Sequence, residues 1–102
     1  MMSDEFIRTE VRIFSMDMEN VLREHDGKGG WKKNTLQSLS RMMQKEVDEL
    51  EAEIDVFRSL ARKRVDVPEV RDAIRREAID VANFAMMIYC NAAINPKAGK
   101  GE

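Results

Sequence analysis

A single cysteine, Cys90, and a single histidine, His25, leave this chain without the materials for a disulfide framework or a zinc site. Net charge is also scarce. Seventeen basic side chains against 19 acidic ones leave −2, so no global field recruits a nucleic acid polymer or an anionic membrane. Long apolar runs are missing too: the most apolar stretch, residues 81–94, is too short for a membrane span and is interrupted by Asn83 and Asn91. The opening residues carry no basic start followed by a long apolar run, and Cys90 falls in an apolar helix. These features predict a cytoplasmic protein with no membrane partner. With no internal repeat and 43% hydrophobic content, 102 residues suit one domain of modest core. It is expected over residues 1–96, with 97–102 as a flexible tail.

What the chain does have is acid at helical spacing. Glu46 and Glu49 stand three apart in MQKEVDELEAEI, and Glu77 and Asp80 stand three apart in REAIDVANFAMMI. Residues three apart stack on neighbouring turns of one helix face. On a wheel of about 100° per residue, Glu46 and Glu77 each fall roughly 40° from the centre of their apolar stripes. Glu49 and Asp80 each fall roughly 100° to the same side. Either pair alone reads as ordinary surface charge in a chain that is 35% charged. Two pairs with the same offset predict half-buried carboxylates facing each other between helices. Such an arrangement costs several kcal/mol unless a countercharge or metal neutralises it. An oxygen-only ligand set points to Mg²⁺ or Mn²⁺.

The helices around these acids follow from apolar periodicity. Ser3 is expected to cap a first helix carrying Ile7, Val11, Phe14, Met18 and Val21 on one buried face and ending near Arg23. A glycine-rich segment follows, in which Lys28, Lys32 and Lys33 add positive charge beside Trp31. Trp31 can stack on a base or simply pin the loop. His25 reads as a loop histidine. Asn34 with Gln37 resembles a capping box for a second helix, and Pro68 opens a third that Asn95-Pro96 stops. For the acid pairs to lie level, residues 61–66 should be connection. Met42, Met43, Met86 and Met87 widen both acidic helices' apolar faces beyond what three helices cover. The expected fold is therefore all-α, three main helices per chain, with the bundle completed by oligomerisation as a homodimer or homotetramer.

EVDEL, with 27 residues separating Glu49 from the start of EAIDVANFAMMI, resembles the EXXE and EXXD motifs of MazG-like nucleoside triphosphate pyrophosphohydrolases, and GKGGW adds to the likeness. The resemblance covers roughly residues 27–91. It implies an all-α dimer or pair of dimers that hydrolyses a nucleoside triphosphate to monophosphate and pyrophosphate with magnesium. By motif position it makes Glu46, Glu49, Glu77 and Asp80 the metal ligands and catalytic groups. Asn83 would help hold the nucleoside, and Lys28 and Trp31 would meet phosphate and base; Lys32, by its charge, is a further phosphate candidate, and Asn91 is a further substrate-side candidate. The combination of GKGGW and DVANFAMMI is similar to small phage-encoded members, which implies purine deoxynucleotides such as dATP or dGTP. The alternatives are a catalytically silent helical interaction module and a nucleotide sensor that binds without turnover.

Overall fold

The computed structural model describes residues 6–28 and 30–94, and among them there is helix, turn and short connection but no strand. Three long helices carry the fold: α1 (Thr9–Glu24), α2 (Leu36–Arg62) and α3 (Pro68–Ile94). Two short 3₁₀ turns, Asp26–Lys28 and Trp31–Lys33, bridge α1 to α2. No described helix is long and apolar enough to cross a membrane.

α2 and α3 form an antiparallel hairpin, and α1 lies chiefly against α3. Each helix supplies one buried apolar residue among those described: Val21 from α1, Leu39 from α2 and Ile79 from α3. Periodicity places these residues on inward stripes. The expected buried face of α1 is only partly covered. Val21 is buried, but Val11 and Phe14 stay exposed, and Ile7 precedes the helix.

α1 also starts later than its sequence suggests. Ser3 lies outside the described residues, and the first turn forms at Arg8, whose carbonyl accepts from Arg12 N–H at 3.1 Å without a side-chain cap. α2 is capped by Thr35, not Asn34: its Oγ1 accepts from Ser38 N–H at 3.1 Å. Asn34 and Thr35 are both competent capping residues, and the wrong neighbour was favoured because Gln37 completed a box with Asn34.

The α2–α3 connection is shorter than expected, since α2 continues through residues 61 and 62. Its end is a Schellman turn. Val65 N–H donates to Leu60 O at 2.9 Å and Arg64 N–H to Ala61 O at 3.0 Å, with Arg64 in the left-handed region at φ 57°. The acids still meet although α2 is longer than expected, and the turn leaves Arg64 in its left-handed conformation. A non-glycine residue pays steric strain there. Arg64→Gly is accordingly expected to raise stability by about 0.5–1 kcal/mol. A chemical-denaturation midpoint that falls in this variant would show that Arg64 contributes a contact outweighing its strain.

Candidate metal centre

Glu46 on α2 faces Glu77 and Asp80 on α3, and one carboxylate oxygen from each lies within 4.8 Å of the other two. The wheel expectation holds for the first acid of each pair, since Glu46 and Glu77 are both half-buried. It is uneven for the second. Asp80 is half-buried as well, whereas Glu49 is exposed and stands beside the three-way group, within hydrogen-bonding reach of both Glu46 and Glu77.

The electrostatics of the cluster are those of crowded anions without a countercharge. Burial, then hydrogen bonding with Glu77 and Glu49 and repulsion from Glu49 and Asp80, push the Glu46 carboxyl from 4.5 up to about 8. Burial also raises Glu77, partly opposed by the hydrogen bond from Glu46. Near neutral pH, Glu46 therefore keeps a proton that it offers to Glu77. Glu77 Oε2 remains buried without a hydrogen-bond partner. Burial raises Asp80 too, while Arg76 and, more weakly, His25 draw it back down. An orphaned carboxylate oxygen beside two further acids is a donor set suited to a hard divalent cation. Four carboxylates from two helices can supply part of an octahedral shell, and the residues present fit Mg²⁺ or Mn²⁺.

Glu46 and Asp80 open onto a cleft of about 1100 Å³, slightly larger than the roughly 300–1,000 Å³ that small-molecule sites occupy. Trp31, Lys32, His25, Arg76 and Asn83 also line it. The Gly-rich segment thus reaches the acids. Gly30 sits at the rim with extended backbone at φ −92°, ψ 138°, which any residue can adopt. A Cβ there would come no nearer than 4.0 Å to the chain, and one at Gly27 would meet nothing. Neither glycine is required by the packing of this chain. The side chain of Lys28 lies outside the described set.

Asn83 is 5% exposed; its Nδ2 donates to Met18 O on α1 at 3.3 Å, while its Oδ1 is buried with no partner. Asn91 is placed differently from the other substrate-side candidates. It does not line the cleft, and both of its contacts are to loop carbonyls, Trp31 O at 3.3 Å and Asn34 O at 3.1 Å. Arg76 is a cleft residue absent from the expected site. It reaches Asp80 at 3.5 Å and Glu24 on α1 at 3.5 Å, and the i,i+4 spacing to Asp80 was the available signal. Arg75 faces a separate shallow groove.

In comparisons with known proteins, no family model matches this chain, and no curated protein or solved structure matches it either.

Proposed function

We propose that this chain is a MazG-like, magnesium-dependent pyrophosphohydrolase that converts a nucleoside triphosphate to its monophosphate and pyrophosphate. The observation that carries the reading is the convergence of Glu46, Glu77 and Asp80 within 4.8 Å, with a buried, unpartnered Glu77 Oε2, at the edge of a cleft walled by Trp31. The paired acidic motifs and GKGGW support it independently of the geometry. Mg²⁺ held by Glu46, Glu77 and Asp80, with Glu49 beside them, would neutralise triphosphate charge and favour attack of water on the α-phosphorus.

The chain's own groups divide the remaining work. Glu46 must release its proton for all the acids to act as ligands, so loading is coupled to deprotonation. Lys32 and Arg76 border the cleft and bring positive charge to phosphate oxygens. Trp31 offers a flat apolar surface to a base, and Asn83 Oδ1 is an acceptor awaiting a donor from a ligand. Purine deoxynucleotides such as dATP and dGTP are the substrates we favour. Screening the common nucleoside triphosphates for pyrophosphate release, with Mg²⁺ and with chelator, tests the function directly. Absence of metal-dependent release for all of them would leave a nucleotide sensor without turnover or the silent helical module. The latter is favoured by the Arg76–Asp80 pair, which gives one acid a partner without any metal.

The active form we propose is a homodimer or homotetramer in the cytoplasm. Among the described residues only Val21, Leu39 and Ile79 are buried apolar side chains, worth at most roughly 1.5–3 kcal/mol each, and they do little against the cost of ordering three long helices. Meanwhile Phe14, Met16, Met42, Ile54 and Phe57 are left exposed along them. A second copy packing on these stripes completes the bundle. Light scattering at micromolar concentration is expected to give two or four times the 11.8 kDa chain mass. A monomer at that concentration would remove the oligomer from the proposal.

A further inference from the structure

The polar residue in α3 that the cleft does not use is the best buried of its helix, and its contacts say what it does. Asn91 is 3% exposed, less than any other buried polar residue described. Its side-chain amide spends both hydrogens on the two ends of one short turn: Trp31 O at 3.3 Å and Asn34 O at 3.1 Å. That turn, Trp31–Lys33, is itself closed by Asn34 N–H donating to Trp31 O at 3.0 Å. Trp31 O thus accepts from both the turn and α3, and the turn cannot unwind without stranding a buried amide.

We infer that Asn91 is a positioning residue, a tether that fixes the Trp31 turn as a wall of the cleft and so sets the enzyme's grip on the flat part of its substrate. The inference rests on the proposed function for what the cleft holds, but not for the tether itself. Asp80 and Asn91 belong to one unbroken helix, α3, so the spacing between carboxylates and turn is set by a rigid element. A loop held in the binding geometry before the ligand arrives loses less freedom on binding, and this gain appears in KM more than in kcat. Asn91 acts through Trp31 and need not touch the ligand.

Trp31 is the only tryptophan, so its fluorescence reports on this turn alone. Asn91→Asp keeps the shape and removes both donors, setting a carboxylate against two carbonyls. Asn91→Ser, with one short donor and no charge, is the second variant should the first fail to fold. In the metal-free protein, either folded variant is expected to show red-shifted Trp31 emission and at least about twofold stronger acrylamide quenching. With dATP and dGTP as probes, KM is expected to rise about tenfold while kcat falls less than about threefold, with the Mg²⁺ midpoint unchanged. Quenching that rises without any nucleotide turnover in the parent protein would retain the tether and remove the proposed function. Turnover with emission, quenching and KM all unchanged in the variants would overturn the tether and leave the function standing. A folded variant that is merely less stable, with wild-type emission and quenching, also overturns it.

Discussion

Glu77→Gln is expected to lower magnesium-dependent pyrophosphate release by about a hundredfold or more while leaving the helices intact. The substitution keeps the shape of a half-buried side chain and removes one of three carboxyl groups whose oxygens lie within 4.8 Å of one another. A neutral amide binds a hard divalent ion far less well than a carboxylate, so ion and substrate lose their shared anchor. The effect on the metal-free protein has the opposite sense. Burial and repulsion raise Glu77, and its Oε2 has no partner, so removing the charge relieves a cost. Its melting temperature should hold or rise by a few degrees. If the acids were present for salt bridges, the same change would destabilise the fold. Paired melting curves and pyrophosphate assays separate these outcomes, and a variant that is less stable yet fully active would sink the catalytic reading.

Removing divalent metal should make stability fall as pH rises, the reverse of ordinary carboxylate behaviour. Glu46 titrates near 8 in the folded chain against an ordinary 4.5. Between those values the folded chain keeps a proton that the unfolded chain has given up. The resulting stability is complete below 4.5 and is lost as pH climbs through about 8. Glu77 and Asp80 are raised as well and act in the same direction. Saturating Mg²⁺ or Mn²⁺ should cancel the fall, because the ion replaces the proton as the neutralising charge. At a hundred times its dissociation constant it adds about 2.7 kcal/mol. For a domain of this size each kcal/mol is roughly 4–8 °C in melting temperature. The measurement is a melting series across this pH window at fixed protein concentration, in chelator and in metal. A chelated protein whose melting temperature rises toward pH 8, or one indifferent to metal there, contradicts the cluster as an ion site.

Periodicity carried most of what could be read before the fold was known. The three helices, the turn near Glu24 and the meeting of Glu46 with Glu77 and Asp80 all follow from where apolar and acidic residues recur. These are properties of single helices and of one hairpin. The start of α1 was misread because Ser3 offers a plausible cap, whereas the helical ladder begins only with the Arg12-to-Arg8 bond. The choice between Asn34 and Thr35 turned on one residue of register. Asn91 shows the deeper limit: its sequence marks it only as a substrate-side candidate, whereas its partners are backbone carbonyls about 60 residues earlier. Carbonyls have no sequence signature. The difference between the exposed Glu49 and the half-buried Asp80 was equally hidden, since it depends on how the helices pack around each acid.

Between Asp80 and Asn91 α3 advances eleven residues, just over three whole turns at about 100° per residue. That interval behaves as a gauge of fixed length. Deleting one residue within it would swing Asn91 about 100° around the axis and draw it about 1.5 Å closer, separating the amide from both loop carbonyls. Point substitutions on the outer face of the same interval leave the phase intact. The segment between the acid and the amide should therefore accept changes of letter readily and changes of length hardly at all, whereas the connection after Arg64, lying beyond the gauge, can be lengthened with far smaller consequence for the cleft.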